Sequence, residues 1–234
     1  MRAPQWYRDL DLWLSRFISP MVRRLLYINV AVWLVGTLVF GLFLTQWHGP
    51  FIYLFACTPL AVLGGRVWQF VTYMFLHVEA GHLFWNMLML WFFGSVMEQH
   101  FGRRRFLWFY LICGAGAAVV YEAVTIALVY SGKAPAMGLA PMLGASGALY
   151  GILFAFGYLY PDQPVLLGFL IPIPARVLVA VLVVLSFVGS INPGRDNTAH
   201  LCHLAGMGVS YLLLKCPRLM GGRRGPVRVD RYDF

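Results

Sequence analysis

The sequence predicts an all-α membrane protein, a bundle of six transmembrane helices with both termini on the inner side of the bilayer. Three observations carry that prediction. First, only 12% of the 234 residues are charged while 60% are hydrophobic, and the mean hydropathy is +0.72. A soluble domain needs about 25% charged residues to face water on all sides. Second, the apolar residues gather into six runs, near 25–45, 82–101, 106–130, 144–160, 175–191 and 198–215, and a helix of about 20 residues crosses a bilayer. Third, the basic residues cluster on one side of those runs. The same composition excludes disorder and collagen-like repeats, because the 24 Gly and 13 Pro follow no period and the apolar content is high.

Residues 1–20 read as an inner tail. Trp6, Leu10, Trp13, Leu14 and Phe17 share one helical face, the pattern of an interfacial helix on the inner leaflet, with a frayed tail as the alternative. The first run, LLYINVAVWLVGTLVFGLFLT, carries no formal charge and follows a charged stretch, so it reads as a retained span, and no cleavable signal is expected. Residues 46–79 form a long outer loop that is still apolar (FIYLFACTPLAVL) and is expected to dip into the membrane; its Pro59, Gly64 and Gly65 argue against a seventh span. The fourth and sixth runs are short and rich in Gly, Ala and Ser, which suits the interior of a bundle where backbones approach closely. PVLLGFLIPIPAR reads like the outer loop, with Pro172 and Pro174 marking the start of the fifth helix. Residues 21–215 form one membrane domain, and residues 216–234 a basic inner tail.

Orientation follows from arginine. Arg2, Arg8, Arg16, Arg23, Arg24, the Arg103–Arg105 triplet, Arg176 and the group from Lys215 to Arg231 place fifteen of 18 basic residues on one face, against Arg66, Lys133 and Arg195 on the other. The rich face is cytoplasmic, so even-numbered helices run inward. Because the charges lie at the edges of apolar runs, the bilayer is the expected partner and nucleic acid is not. Cys57, Cys113, Cys202 and Cys216 form no CxxC pair, so neither a disulfide framework nor a thiolate metal site is expected.

Polar groups inside a membrane are costly and therefore informative. The second run opens with GHLFWNMLML, where His82 and Asn86 sit four apart on one face; such a pair glues helices together or donates hydrogen bonds into a site. The fourth opens with LGASGALYG. Ser146 there is either a small packing residue or a nucleophile, and Gly147 with Gly151 offers a face for close helix contact. The segment is not a G-x-S-x-G elbow, since Ala148 follows Gly147. The sixth opens with AHLCHLAGMGVSY, whose His200 and His203 either hydrogen-bond to neighbouring helices or bind a metal, the latter lacking a third ligand on the segment.

Even-numbered helices all start at the outer face, so His82, Asn86, Ser146 and His203, each expected in a first turn, fall at one depth. One hydroxyl, one imidazole and two further donors are what acyl transfer needs. Asp196, in an outer loop, and Glu122, deep in the third run, are poorly placed to orient the imidazole, so a Ser146/His203 dyad is expected. Tyr150, one turn below Ser146, either stacks on that imidazole or packs as an ordinary aromatic.

HVEAGHLFWNML, GASGALYG and AHLCHLAGMG, in this order and spacing, resemble the rhomboid family of intramembrane serine proteases over about residues 20–215. The resemblance implies a six-helix rhomboid fold, Ser146 as nucleophile and His203 as general base. It implies His82 and Asn86 as oxyanion-hole side chains, transmembrane proteins as substrates, a lateral gate near helix five, and no metal or other cofactor. His200 matches a histidine often found three residues before the base and receives no role. The chain departs from many relatives at Trp68-Gln69, where they carry Trp-Arg, and at Ser210, where a glycine is usual; the latter is expected to loosen helices four and six. A small transporter and a non-catalytic membrane-protein binder are the competing readings. The short tails suggest a prokaryotic cytoplasmic membrane.

Overall fold

A computed structural model describes residues 17–132, 141–167, 170–191 and 197–216, together with Gln5. The expected interfacial helix at 6–17 lies, apart from Phe17, outside the described residues, as does most of the basic C-terminal tail. Helix α1 starts at Pro20, whose fixed φ suits a first helical residue, and changes from α-helical Pro20–Leu34 to π-helical Val35–Phe43. Short helices α2 (His48–Phe55), α3 (Pro59–Leu63) and α4 (Gln69–Thr72) build the outer loop. Ala80–Met89, Leu90–Gly94 and Ser95–Phe101 follow one another as a single helical run, α5, with a π turn in its middle. Then come α6 (Arg103–Tyr130), α7 (Ser146–Leu159), strands β1 (Pro164–Leu167) and β2 (Ile171–Pro174), α8 (Ala175–Ile191) and α9 (Asn197–Lys215).

The strands correct the all-α expectation. β1 and β2 pair antiparallel, Val165 opposite Ile173. Pro172 therefore lies in a strand, and only Pro174 immediately precedes the helix. A short two-stranded ribbon tolerates these prolines because each edge is unpaired on one side. The hairpin is closed by Ala175 N–H to the Gln163 carbonyl (2.9 Å) and by an Arg176–Asp162 ion pair (2.8 Å).

Helices α6, α7 and α9 pack together at the centre. Phe106, Tyr110, Cys113, Ala117, Tyr121 and Thr125 recur along α6 at helical spacing and are all buried. On α7, nine residues from Gly147 to Gly157 are buried, so this helix is enclosed on nearly every side. The small residues are what permit it: a Cβ on Gly206 of α9 would lie 2.0 Å from the Gly147 carbonyl oxygen. Large apolar side chains meanwhile remain exposed along α1 (Leu38, Leu42, Phe43) and α8 (Val184, Leu185, Phe187, Ile191), a surface suited to lipid. Pro20–Phe43 and Arg103–Tyr130 are each long and apolar enough to cross a membrane, whereas α7 and α8 are shorter apolar helices. At ~1.5 Å per residue α7 spans about 21 Å, less than the ~30 Å hydrocarbon core.

Two polar systems fix the ends. Opposite the Ser146 end, Glu98 of α5 accepts hydrogen bonds from the Ser19 hydroxyl and from the N–H groups of Met21 (2.9 Å) and Val22 (2.8 Å), capping α1. Nearby, His100 pairs with the Tyr160 hydroxyl at 2.7 Å, joining the ends of α5 and α7. In the outer loop, Gln69 is fully buried. Its Nε2 donates to the carbonyls of Tyr53 (2.8 Å) and Leu54 (3.3 Å) while Oε1 accepts from Thr58 N–H (3.2 Å). A carboxamide both donates and accepts here, which an arginine cannot do. The positive charge that Gln69 lacks stands three residues earlier, with the Arg66 guanidinium 4.6 Å from the Tyr53 ring centre.

Candidate active site

Ser146 is the first residue of α7. The segment before it is strapped to the outer loop: Cys57 and Met142 exchange backbone hydrogen bonds of 2.9 and 2.8 Å, and Gly144 N–H donates to the Tyr73 carbonyl at 2.9 Å. Gly144 has φ +111°, a backbone that side chains disfavour. The first backbone bond of α7 runs from Leu149 N–H to the Ala145 carbonyl (3.1 Å). The N–H groups of Ser146 and Gly147 thus belong to the unsatisfied first turn, at the positive end of the helix dipole.

The imidazole of His203 lies flat on Tyr150, ring centres 3.8 Å apart and planes within 5°. Tyr150 is one turn after Ser146 on the same face of α7, so α9 lays its histidine over the face that carries the serine. The Gly206–Gly147 approach sets how near the two helices come. Among the described residues, His203 Nε2 is buried without a hydrogen-bond partner, and neither carboxylate oxygen of buried Glu122 bonds to it. Asp196 lies outside the described residues. Cys202 packs where a Cβ of Gly147 would be, its Sγ 2.8 Å from that position, and 4.0 Å from the Tyr73 hydroxyl. His200 turns toward α8, within 2.3 Å of the place of a Gly189 Cβ, and its ring stands edge-on to His203 at 6.3 Å.

From α5, His82 and Asn86 reach the same segment. A Cβ on Gly144 would lie 2.6 Å from His82 Cε1 and 3.7 Å from Asn86 Nδ2. Both side chains therefore stand against the turn that leads into Ser146. One detail corrects the expected depth: α5 starts at Ala80 and α9 at Asn197, ahead of the apolar runs, so Asn86 and His203 occupy second turns. Helix starts draw in small and polar residues that an apolar pattern does not reveal.

One residue of the site was not singled out from the sequence. His77, ahead of α5 and only 4% exposed, places Nε2 2.9 Å from Asn86 Nδ2 and 3.5 Å from the Ala145 N–H. Its ring stands 5.0 Å from that of His82, edge to face. Burial, with His82 beside it, pushes the His77 imidazole down to about 4, so the ring is neutral near pH 7. It opens the motif HVEAGHLFWNML, but helical spacing says nothing about a residue outside the helix.

The rhomboid domain family model matches residues 64–218, a range that contains His77, His82, Asn86, Ser146, Tyr150 and His203. The chain belongs to the rhomboid family. Among its relatives is the RHOMBOID-like protein 12, mitochondrial, of Arabidopsis thaliana, 32% identical over 154 residues, which are 63% of this chain and 46% of that protein. The Rhomboid protein 1, mitochondrial, of Saccharomyces cerevisiae is 37% identical over 108 residues, 46% of this chain and 29% of that protein. The Rhomboid protease GluP of Bacillus subtilis is 30% identical over 142 residues, 61% of this chain and 25% of that protein. The match thus spans less than half the length of each of these relatives. As a rhomboid, the chain is a helical integral membrane protein. Two of these relatives are mitochondrial by name and one is bacterial, so they lend no support to a prokaryotic membrane over an organellar one.

Proposed function

We propose that this rhomboid is an intramembrane serine protease in which Ser146 and His203 form the catalytic dyad. The observation that carries the reading is the His203 ring held flat on Tyr150, over the face of α7 whose first residue is Ser146. Its Nε2 is buried and lacks a partner among the described residues, and buried nitrogens are rarely left so. The Ser146 hydroxyl, which makes no hydrogen bond to it in this structure, is the partner we assign to it in the substrate complex, where such bonds tighten.

In this mechanism Nε2 takes the Ser146 proton as Oγ attacks the scissile carbonyl. The oxyanion is met by the Ser146 N–H, the His82 ring and the Asn86 carboxamide. His203 then gives its proton to the leaving amine, and a water, deprotonated by the same nitrogen, hydrolyses the acyl-enzyme. No acidic third member takes part. Tyr150 restricts the imidazole to one plane, and Gly147 keeps α9 near α7.

We assign six spans, α1 and α5–α9, with the basic termini inside, so that Ser146 opens toward the outer face. A 14-residue α7 is shorter than the hydrocarbon core, which recesses Ser146 below the outer surface and requires a water-filled opening from that side. The substrate is a transmembrane segment whose helix is weak near the outer leaflet, because an intact helix keeps its carbonyls in internal hydrogen bonds. The Pro172/Pro174 hairpin ahead of α8 and the outer loop are the moving parts of this scheme. Reconstitution with a panel of single-span substrates tests it: the wild type cleaves substrates with Gly or Ala near the outer end, and Ser146→Ala cleaves none. Binding without cleavage by the wild type would instead indicate a non-catalytic membrane-protein binder, and solute flux a transporter.

A further inference from the structure

We infer that His77 is a positioning residue that holds the Asn86 carboxamide in its oxyanion-binding orientation. The inference rests on the protease reading given above and concerns a side chain that reading does not use.

The orientation of Asn86 depends on which atoms donate. His77 Nε2 faces two nitrogens, Asn86 Nδ2 at 2.9 Å and the backbone nitrogen of Ala145 at 3.5 Å. A carboxamide can be turned over, but a peptide N–H in this position can only donate. The Ala145 N–H, at 3.5 Å, favours Nε2 as the lone-pair acceptor and puts the ring proton on Nδ1, which is buried without a hydrogen-bond partner among the described residues. Once Nε2 is an acceptor, the group Asn86 turns toward it must be its NH2 end. One N–H of Nδ2 is then used by His77 and the other is free for a developing negative charge. The neutral state that burial imposes on His77 preserves the lone pair.

His77 also sits at the junction of three parts that must agree in position. It precedes α5, which carries His82 and Asn86. It contacts Ala145, the residue before Ser146. Two residues before Ser146, Gly144 is bound to the Tyr73 carbonyl at 2.9 Å. Without the imidazole, Asn86 retains its place on α5 but loses the acceptor that sets its rotation, so a catalytic effect is expected to exceed the packing effect.

The test uses the full chain in proteoliposomes with a single-span substrate, comparing wild type, His77→Ala, His77→Gln, Asn86→Ala and the His77→Ala/Asn86→Ala double variant. Losing one oxyanion donor outright lowers kcat by about 10²–10³, so misorienting it through His77→Ala should lower kcat by roughly tenfold with KM little changed. His77→Gln, whose Oε1 can accept at a similar reach, should recover most of that loss. The double variant should be no slower than Asn86→Ala, because His77 acts through Asn86. Losses that multiply in the double variant, a change confined to KM, or a His77→Gln variant as poor as His77→Ala would each overturn the inference. Nitrogen-15 NMR of the His77 ring in wild-type protein gives a readout independent of turnover and of variant folding: an unprotonated Nε2 supports the inference and a protonated Nε2 overturns it. A wild type that neither cleaves nor reacts with a fluorophosphonate at Ser146 removes the protease reading, and the inference with it. A wild type that does both while the variants multiply removes the inference alone.

Discussion

Gly144→Ala separates backbone strain from damage to the oxyanion site, because this glycine combines two constraints. Its φ of +111° is one that alanine disfavours, at about 1–3 kcal/mol. The second constraint is contact. The new Cβ would lie 2.6 Å from His82 Cε1 and 2.8 Å from Nε2, whereas carbon atoms pack at about 3.5 Å. The tip of the His82 ring must therefore withdraw by roughly 0.9 Å. That motion is inexpensive for the fold, since the ring tip can swing, but displacement of a catalytic group by about 1 Å can lower the rate ~100-fold. Gly65→Ala is the control, with φ +90° and no neighbour among the described residues within 4 Å of the added carbon. Thermal unfolding in detergent should show similar destabilisation of the two variants, while kcat on a reconstituted substrate should fall roughly 100-fold for Gly144→Ala only. Equal kcat for both would refute the placement of His82 as an oxyanion donor against this turn.

Tyr150→Phe keeps the stack on His203 and should retain nearly full activity, while Tyr150→Ala removes the stack and leaves a partly filled space, so it should lower kcat about tenfold and also the melting temperature by several degrees. Gly206→Ala introduces a carbon 2.0 Å from the Gly147 carbonyl oxygen, backbone that cannot swing aside; denaturant titration should show a loss of about 3 kcal/mol or more, at the upper end of overpacking effects. Gln69→Ala takes the acceptor from the Thr58 N–H and one donor from the Tyr53 and Leu54 carbonyls, which keep Arg66 Nη1 (3.5 Å) and Trp68 Nε1 (2.9 Å), so about 1–3 kcal/mol should be lost. Limited proteolysis should then cut the outer loop first.

Much of this arrangement was legible in the sequence because it depends on local periodicity. The starts of α7 and α8 fall within two residues of the apolar runs that announced them, and Ser146 and Tyr150 share a face because 3.6 residues make a turn. Gly147 and Gly151 announced a close neighbour, though the sequence could not say that Gly206 would supply it. What escaped was set by contacts distant along the chain. The β1–β2 hairpin hides in an apolar, proline-containing stretch where pairing register, rather than composition, decides the structure. His77 lies outside any helix, so its approach to Asn86 and Ala145 comes from the turn into α5 meeting the turn into α7. The loosening expected from Ser210 has no counterpart at the Gly206–Gly147 contact, one turn away on α9; Ser210 itself is fully buried.

In the proposed dyad a hydroxyl at the start of α7 is made nucleophilic by an imidazole from α9. Mass-spectrometric mapping of a fluorophosphonate adduct on the reconstituted protein tests it most directly. The adduct should form on Ser146 in the wild type and be lost in His203→Ala. An unmodified Ser146 in folded wild type, or a Ser146 that reacts equally well without His203, would contradict it.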